Sequence, residues 1–194
     1  KGIYPTMNYG IKISKGKFIT FLNSGDEFYQ KNTLKEIVKN INFKDNKSTV
    51  IFGQAKIIAN NMSWLFPGER INNIEKWLKY FEPNHQSMII GRDLASKFNF
   101  SEIHGLISDG YWKRKIIDNA KNIIFIKTPV CRFYLDGISS SKPNLYQIKK
   151  ILINRHISIL RKIIFFTKFL FPKELFFIYH FFQKMKSLII DILF

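Results

Sequence analysis

The run Phe18-Ile19-Thr20-Phe21-Leu22 closes on Asn23-Ser24-Gly25-Asp26, an apolar stretch that ends in a glycine and a carboxylate. Its length suits a buried strand, with the polar residues forming the loop at its carboxyl end. In open parallel sheets such strand tips line the crevice where ligands collect, because the packed helices do not obstruct it. Thr49 to Ile58, Ser87 to Ile90 and Ile123 to Ile126 read as further strands. Between them the apolar residues fall at helical spacing: Met7, Ile11 and Ile13 before Gly16; Leu34, Ile37, Val38 and Ile41; and the stretch from Asp109 to about Asn119. This alternation predicts a mixed α/β fold.

Asn60 to Asn73 contains Pro67-Gly68 and reads as a surface loop, with Trp64 and Phe66 either packing back or touching substrate. Ile74 to Tyr80 reads as the next element after that loop, and Arg92 to Lys97 as a brief helix. Beyond Ser139-Ser140-Ser141-Lys142-Pro143 the character changes to two apolar, basic segments, Leu145 to Leu170 and Glu174 to Phe194. The expected organisation is a domain over 1–140 and a basic amphipathic helical extension over 141–194. Neither terminal segment is a clean run of about twenty apolar residues, so neither reads as a transmembrane span. The mixture suits a helix lying in the membrane interface or one covering the sheet or a partner subunit.

A formal net charge of +17 over 194 residues directs the chain towards anionic partners. Charge alone does not choose among nucleic acid, anionic lipid and phosphorylated metabolites. The hydrophobic content of 46% is enough for a core and excludes a disordered polycation. Cys131 is the sole cysteine, which excludes an intrachain disulfide and fits a reducing compartment. The chain opens on Lys1-Gly2-Ile3-Tyr4-Pro5 without a start methionine and reads as a fragment.

Lys1 to Ile11, followed by Gly16-Lys17-Phe18-Ile19-Thr20-Phe21-Leu22-Asn23-Ser24-Gly25-Asp26-Glu27-Phe28-Tyr29, resembles the middle of a GT-A glycosyltransferase of the family 2 type. Pro83-Asn84-His85-Gln86-Ser87-Met88 and Gly137-Ile138-Ser139-Ser140 resemble its bacterial surface-polysaccharide members, in the family's order. The resemblance implies an α/β, Rossmann-like three-layer core whose amino-terminal nucleotide-binding segment is absent. It implies inverting transfer of a sugar from a nucleotide-sugar donor to a glycan or lipid-linked acceptor, in bacterial surface polysaccharide or lipopolysaccharide synthesis. The location implied is cytoplasmic, peripheral on the inner face of the cytoplasmic membrane, with an anionic membrane surface as partner.

The resemblance puts Asp26 in the acidic motif that holds a divalent cation, Mg2+ or Mn2+, against the donor diphosphate. Oxygen ligands suit those ions, although Asn23, Ser24 and Gly25 stand where a second carboxylate is common. A turn aspartate capping a helix is the other reading. Asp109 matches the acceptor-side base, and a helix N-cap is its alternative. His85 and Gln86 match a pair that contacts donor phosphate or acceptor hydroxyls, and Asn8 falls on the donor-side helix. Gly10 there would allow close helix packing. Tyr111 and Trp112 offer an apolar platform for a sugar face or core packing, and Arg92, Lys113, Arg114 and Lys115 a charge for phosphates or a solvated face.

Two other classes stay open. A noncatalytic scaffold would keep the fold without donor binding. A nucleic-acid-binding protein would present a continuous basic surface with exposed stacking rings, which the apolar placement of most phenylalanines opposes, so no nucleic acid is expected.

Overall fold

A computed structural model describes residues 2–39, 47–59, 62–101, 108–135, 145–153 and 176–193, with isolated positions at 159, 162 and 166. The loop at 137–140, the proposed boundary at 140/141, the turn at 44–46 and most of the segment from 154 to 175 lie outside the described residues.

Helix α1 spans Ile3–Ile13 and buries Met7 and Ile11 on one face. It stops at Ser14, whose backbone turns extended and whose N–H and hydroxyl both donate to Gly10 O. Strand β1 (Phe18–Ile19) follows, then β2 (Glu27–Phe28), α2 (Thr33–Lys39) and β3 (Thr49–Ala59). Next come β4 (Met62–Phe66), α3 (Ile74–Leu78), a 3-10 turn at His85–Ser87, β5 (Met88–Gly91) and α4 (Arg92–Ala95). The chain continues through α5 (Ser108–Asp118), β6 (Asn122–Tyr134), α6 (Leu145–Ile153) and α7 (Phe176–Leu193).

The sheet order is β1-β5-β3-β6-β2, with β4 also paired to β3. It is mixed rather than parallel: β3 and β6 run parallel, while β5 runs against both β1 and β3. Strand β3 is central and almost continuously buried, as an apolar run paired on both sides must be. Alternation along the strands separates two faces. Val50, Phe52, Met88 and Ile90 pack with α1, α3, α4, α5 and Ile190 of α7, whereas Ile51 and Ile89 pack with Ile37 of α2. The result is the expected three layers, and α7 contributes to the main core.

Four local expectations are corrected. The segment read as a loop from Asn60 contains β4, hairpin-paired to β3 from Ala55↔Phe66 to Ala59↔Met62. Trp64 and Phe66 pack back against Ala55, Ile57 and Cys131. Strand β6 runs far beyond Ile126, because Pro129 sits opposite Gln54 at a shift in register, where a missing N–H is tolerated. Gly53 stands at that bulge, and a Cβ there would come within 2.5 Å of Thr128 O and Val130 Cγ2. Strand β1 stops at Ile19, short of the end of its apolar run, and Phe21 beyond it meets Phe100 and Trp112 edge-on. Gly10 needs no close packing, since nothing lies within 4 Å of where its Cβ would be.

Candidate active site at the end of the sheet

Because β5 runs against β1, the loop leaving β1 and the 3-10 turn entering β5 meet at one edge of the sheet. In the β1 loop, Asp26 N–H donates to Asn23 O at 3.0 Å, and Gly25 takes φ +93°, a conformation that a side chain resists. This tight turn delivers Asp26 to β2 beside the far end of β6. Asp26 Oδ1 accepts from Tyr134 N–H at 2.9 Å, and Oδ2 accepts from Gln86 Nε2. Glu27 points elsewhere, into an exposed pair with Arg132 at 2.9 Å and a bond from Tyr134 Oη at 3.0 Å.

Asn84 fixes the 3-10 turn by accepting from Gln86 N–H at 2.9 Å through Oδ1. Gln86 is fully buried, and its Oε1 has no hydrogen-bond partner among the described residues. Reversing the amide would set Oε1 against the Asp26 carboxylate, so the carboxylate dictates the orientation. The neighbouring His85 holds Nε2 3.1 Å from Asn23 Nδ2 and turns Nδ1 the other way. That nitrogen faces Asp109 Oδ2 at 3.7 Å.

Asp109 occupies the first turn of α5, where the helix dipole favours an anion. Lys113, one turn on, places Nζ 3.6 Å from Oδ2. Burial pushes the Asp109 carboxyl up, but the Lys113 ammonium, His85 and the Gly110 N–H outweigh it and hold it far below the usual carboxylate range. The carboxyl is therefore ionised at neutral pH. Tyr4 comes in from α1: burial and then the Asp109 charge raise its hydroxyl well above the usual range, while the N–H groups of Asp109 and Ser108 reach its oxygen. Ser108 Oγ is buried without a partner among the described residues.

This geometry joins four of the five residues nominated from the sequence, Asp26, Gln86, His85 and Asp109, with Asn23 as a further link through His85. Asn8 stands apart. Its amide clamps Phe100, donating to the carbonyl at 2.9 Å and accepting from the N–H at 2.8 Å. With Lys12 and Arg92, Asn8 lines a cavity of about 590 Å3 that none of Asp26, His85, Gln86 and Asp109 lines. Trp112 belongs to the core, stacked on Phe100 at 4.3 Å between ring centres and donating to Phe98 O at 2.8 Å, so it offers no sugar platform. Arg114 straps α5 to α3, with bonds to Glu82 Oε1 at 2.7 Å and Leu78 O at 2.6 Å.

Two crystal structures of TarS from S. aureus share this architecture. Residues 1–349 of TarS superpose with a TM-score of 0.52 at 19% identity, covering 86% of this chain and 50% of that one. A second TarS structure gives 0.50 at 19% identity, covering 86% and 30%. The chain has the GT-A glycosyltransferase fold. A curated protein of Rickettsia bellii (strain RML369-C), described as an uncharacterized glycosyltransferase, is 34% identical over 65 residues, which is 34% of this chain. The chain spans 9% of that relative's length. No family model matches.

Within the GT-A core, Lys113 as the ion partner of Asp109 was legible in principle from the i, i+4 spacing on a helix. Tyr4 had no such signal, because its approach to α5 is set by how α1 packs.

Among the described residues no group of three His, Cys, Asp or Glu side chains would hold a metal by itself. Asp26 offers a single carboxylate, whose oxygens already accept from Tyr134 N–H and Gln86 Nε2, so a hard ion there would take most of its oxygens from other ligands.

Proposed function

We propose that this chain acts in inverting transfer of a sugar from a nucleotide-sugar donor to a hydroxyl of a glycan or lipid-linked acceptor, in surface polysaccharide synthesis. One observation carries the reading: two carboxylates from distant segments contact consecutive residues of one buried turn, Asp26 at Gln86 and Asp109 at His85.

In this reading Asp109 accepts the proton of the acceptor hydroxyl as that oxygen bonds to the anomeric carbon. The bond from that carbon to the diphosphate oxygen breaks, and the nucleotide leaves with the electron pair on the opposite face. Asp109 is ionised before the acceptor arrives, and the Lys113 and His85 contacts that hold its carboxyl low must loosen as it takes the proton. His85 and Lys113 orient it; Gln86 holds Asp26 and presents an unpartnered buried Oε1 for a ligand hydroxyl. A Mg2+ or Mn2+ ion held by Asp26 against the diphosphate would neutralise charge on the leaving group. The protein works at the inner face of the cytoplasmic membrane, where a lipid-linked acceptor is presented.

Transfer assays with nucleotide-sugar donors test the reading. Asp109→Asn should lower kcat by roughly 100-fold or more, and Asp26→Asn should weaken donor use. Wild-type transfer by both variants would reject these roles. A noncatalytic scaffold is the second reading, favoured by both Asp26 oxygens already accepting from Tyr134 N–H and Gln86 Nε2. Folded protein that binds no donor in calorimetry would support it.

A further inference from the structure

Helix α7 has two unlike sides. Ser187 and Ile190 face inward, and Ile190 packs in the main core. Met185, Leu188, Ile189, Ile192 and Leu193 are exposed, Ile192 to 72% and Leu193 to 61%. At 3.6 residues per turn these five occupy one arc of roughly 140°. Lys184 falls just beyond one edge of that arc and Lys186 just beyond the other.

We propose that this outer face of α7 docks on an anionic lipid surface, with its axis in the interfacial plane. The proposal rests on the membrane-surface reading above and names the surface responsible. Five large apolar side chains in one stripe call for a covering partner. A bilayer interface takes such a stripe into the acyl boundary while flanking lysines reach phosphate headgroups on either side. No described helix is long and apolar enough to cross a membrane, so α7 lies along the surface. Charge selects lipid over a second copy of this chain. A copy would bring the same two lysines and another +17 to the contact, whereas anionic headgroups neutralise both.

Flotation of the full chain with equimolar phosphatidylglycerol–phosphatidylcholine vesicles, against pure phosphatidylcholine, is the test. Lys184→Gln with Lys186→Gln should weaken binding to the anionic vesicles by roughly 25-fold, about fivefold for each lysine. Ile192→Ser with Leu193→Ser should weaken it by about tenfold or more. Ile192→Cys labelled with an environment-sensitive fluorophore gives a readout within the folded protein, since Cys131 is buried. Its emission should shift to the blue on adding anionic vesicles, and a label at Lys47→Cys should not shift.

Wild-type flotation with undiminished flotation of both double variants would overturn the α7 assignment while leaving the membrane reading in place. Absence of wild-type flotation would overturn both. A dimer in sedimentation that Ile192→Ser with Leu193→Ser dissolves, without flotation, would assign the face to a second copy instead.

Discussion

Asp26 and Asp109 reach the two neighbouring side chains of one 3-10 turn, Asp26 accepting from Gln86 and Asp109 lying 3.7 Å from His85. A perturbation of either carboxylate should therefore be readable at a named neighbour.

Lys113 is the first opposite charge on Asp109. Replacing Lys113 by Met should raise the Asp109 carboxyl pKa, measured by 13C NMR of the carboxyl carbon. The sign follows from linkage: a depressed carboxyl contributes stability above its ordinary value of 3.8 and loses it as pH falls through the folded value. Wild type should keep that contribution far into acid, and the variant should lose it at higher pH.

Burial, followed by the Asp26 charge, pushes the Cys131 thiol up to about 12 from 9.0. The native thiol should resist disulfide reagents at pH 8 and react once urea unfolds the chain. A folded pKa raised in this way costs stability as pH rises from 9.0 towards about 12, because the unfolded thiol ionises first. Asp26→Asn should bring the thiol pKa down, while burial keeps it above 9.0. No change would mean that the Asp26 charge does not reach Cys131.

Trp112 is fully buried against Phe100 and Phe21, so Trp112→Ala should destabilise by about 3–5 kcal/mol in urea unfolding. Trp112→Phe keeps a ring in the stack but leaves Phe98 O without its donor. Its expected cost is about 1–3 kcal/mol.

Gly53→Ala should be destabilising by about 1–3 kcal/mol. Two of the three atoms its Cβ would meet, Thr128 O and Ile126 O, are backbone and cannot rotate away. Gly10→Ala meets open space inside α1 and should stabilise by about 0.5–1 kcal/mol. Thermal unfolding of the two variants, with opposite signs, separates the tight bulge from the permissive helix.

Local pattern made several elements legible. The spacing of Met7 and Ile11 marked the buried face of α1, and the apolar run from Thr49 marked β3 almost to its last residue. The reading failed where punctuation residues serve a non-local pairing. Pro129 looks like a stop and is instead accommodated at a bulge, and Pro67-Gly68 made β4 look like part of a loop. At the site, the motif nominated both carboxylates and the His85-Gln86 pair. It also nominated Asn8, whose amide is taken by the Phe100 backbone.

The sequence by itself determined the mixed α/β class and the amphipathic character of the last helix, because each depends on residue type and spacing along a few turns or one strand, while the resemblance of its motifs to GT-A family 2 singled out the carboxylates to inspect. Only the tertiary structure decided that β5 runs against β1, which brings His85 and Gln86 between Asp26 and Asp109. It also decided that Trp112 is core and that α7 turns Ile190 inward. Those outcomes depend on pairing and packing between segments far apart in the chain, and hydrogen-bond registry and side-chain volume across such distances are not written in any local spacing.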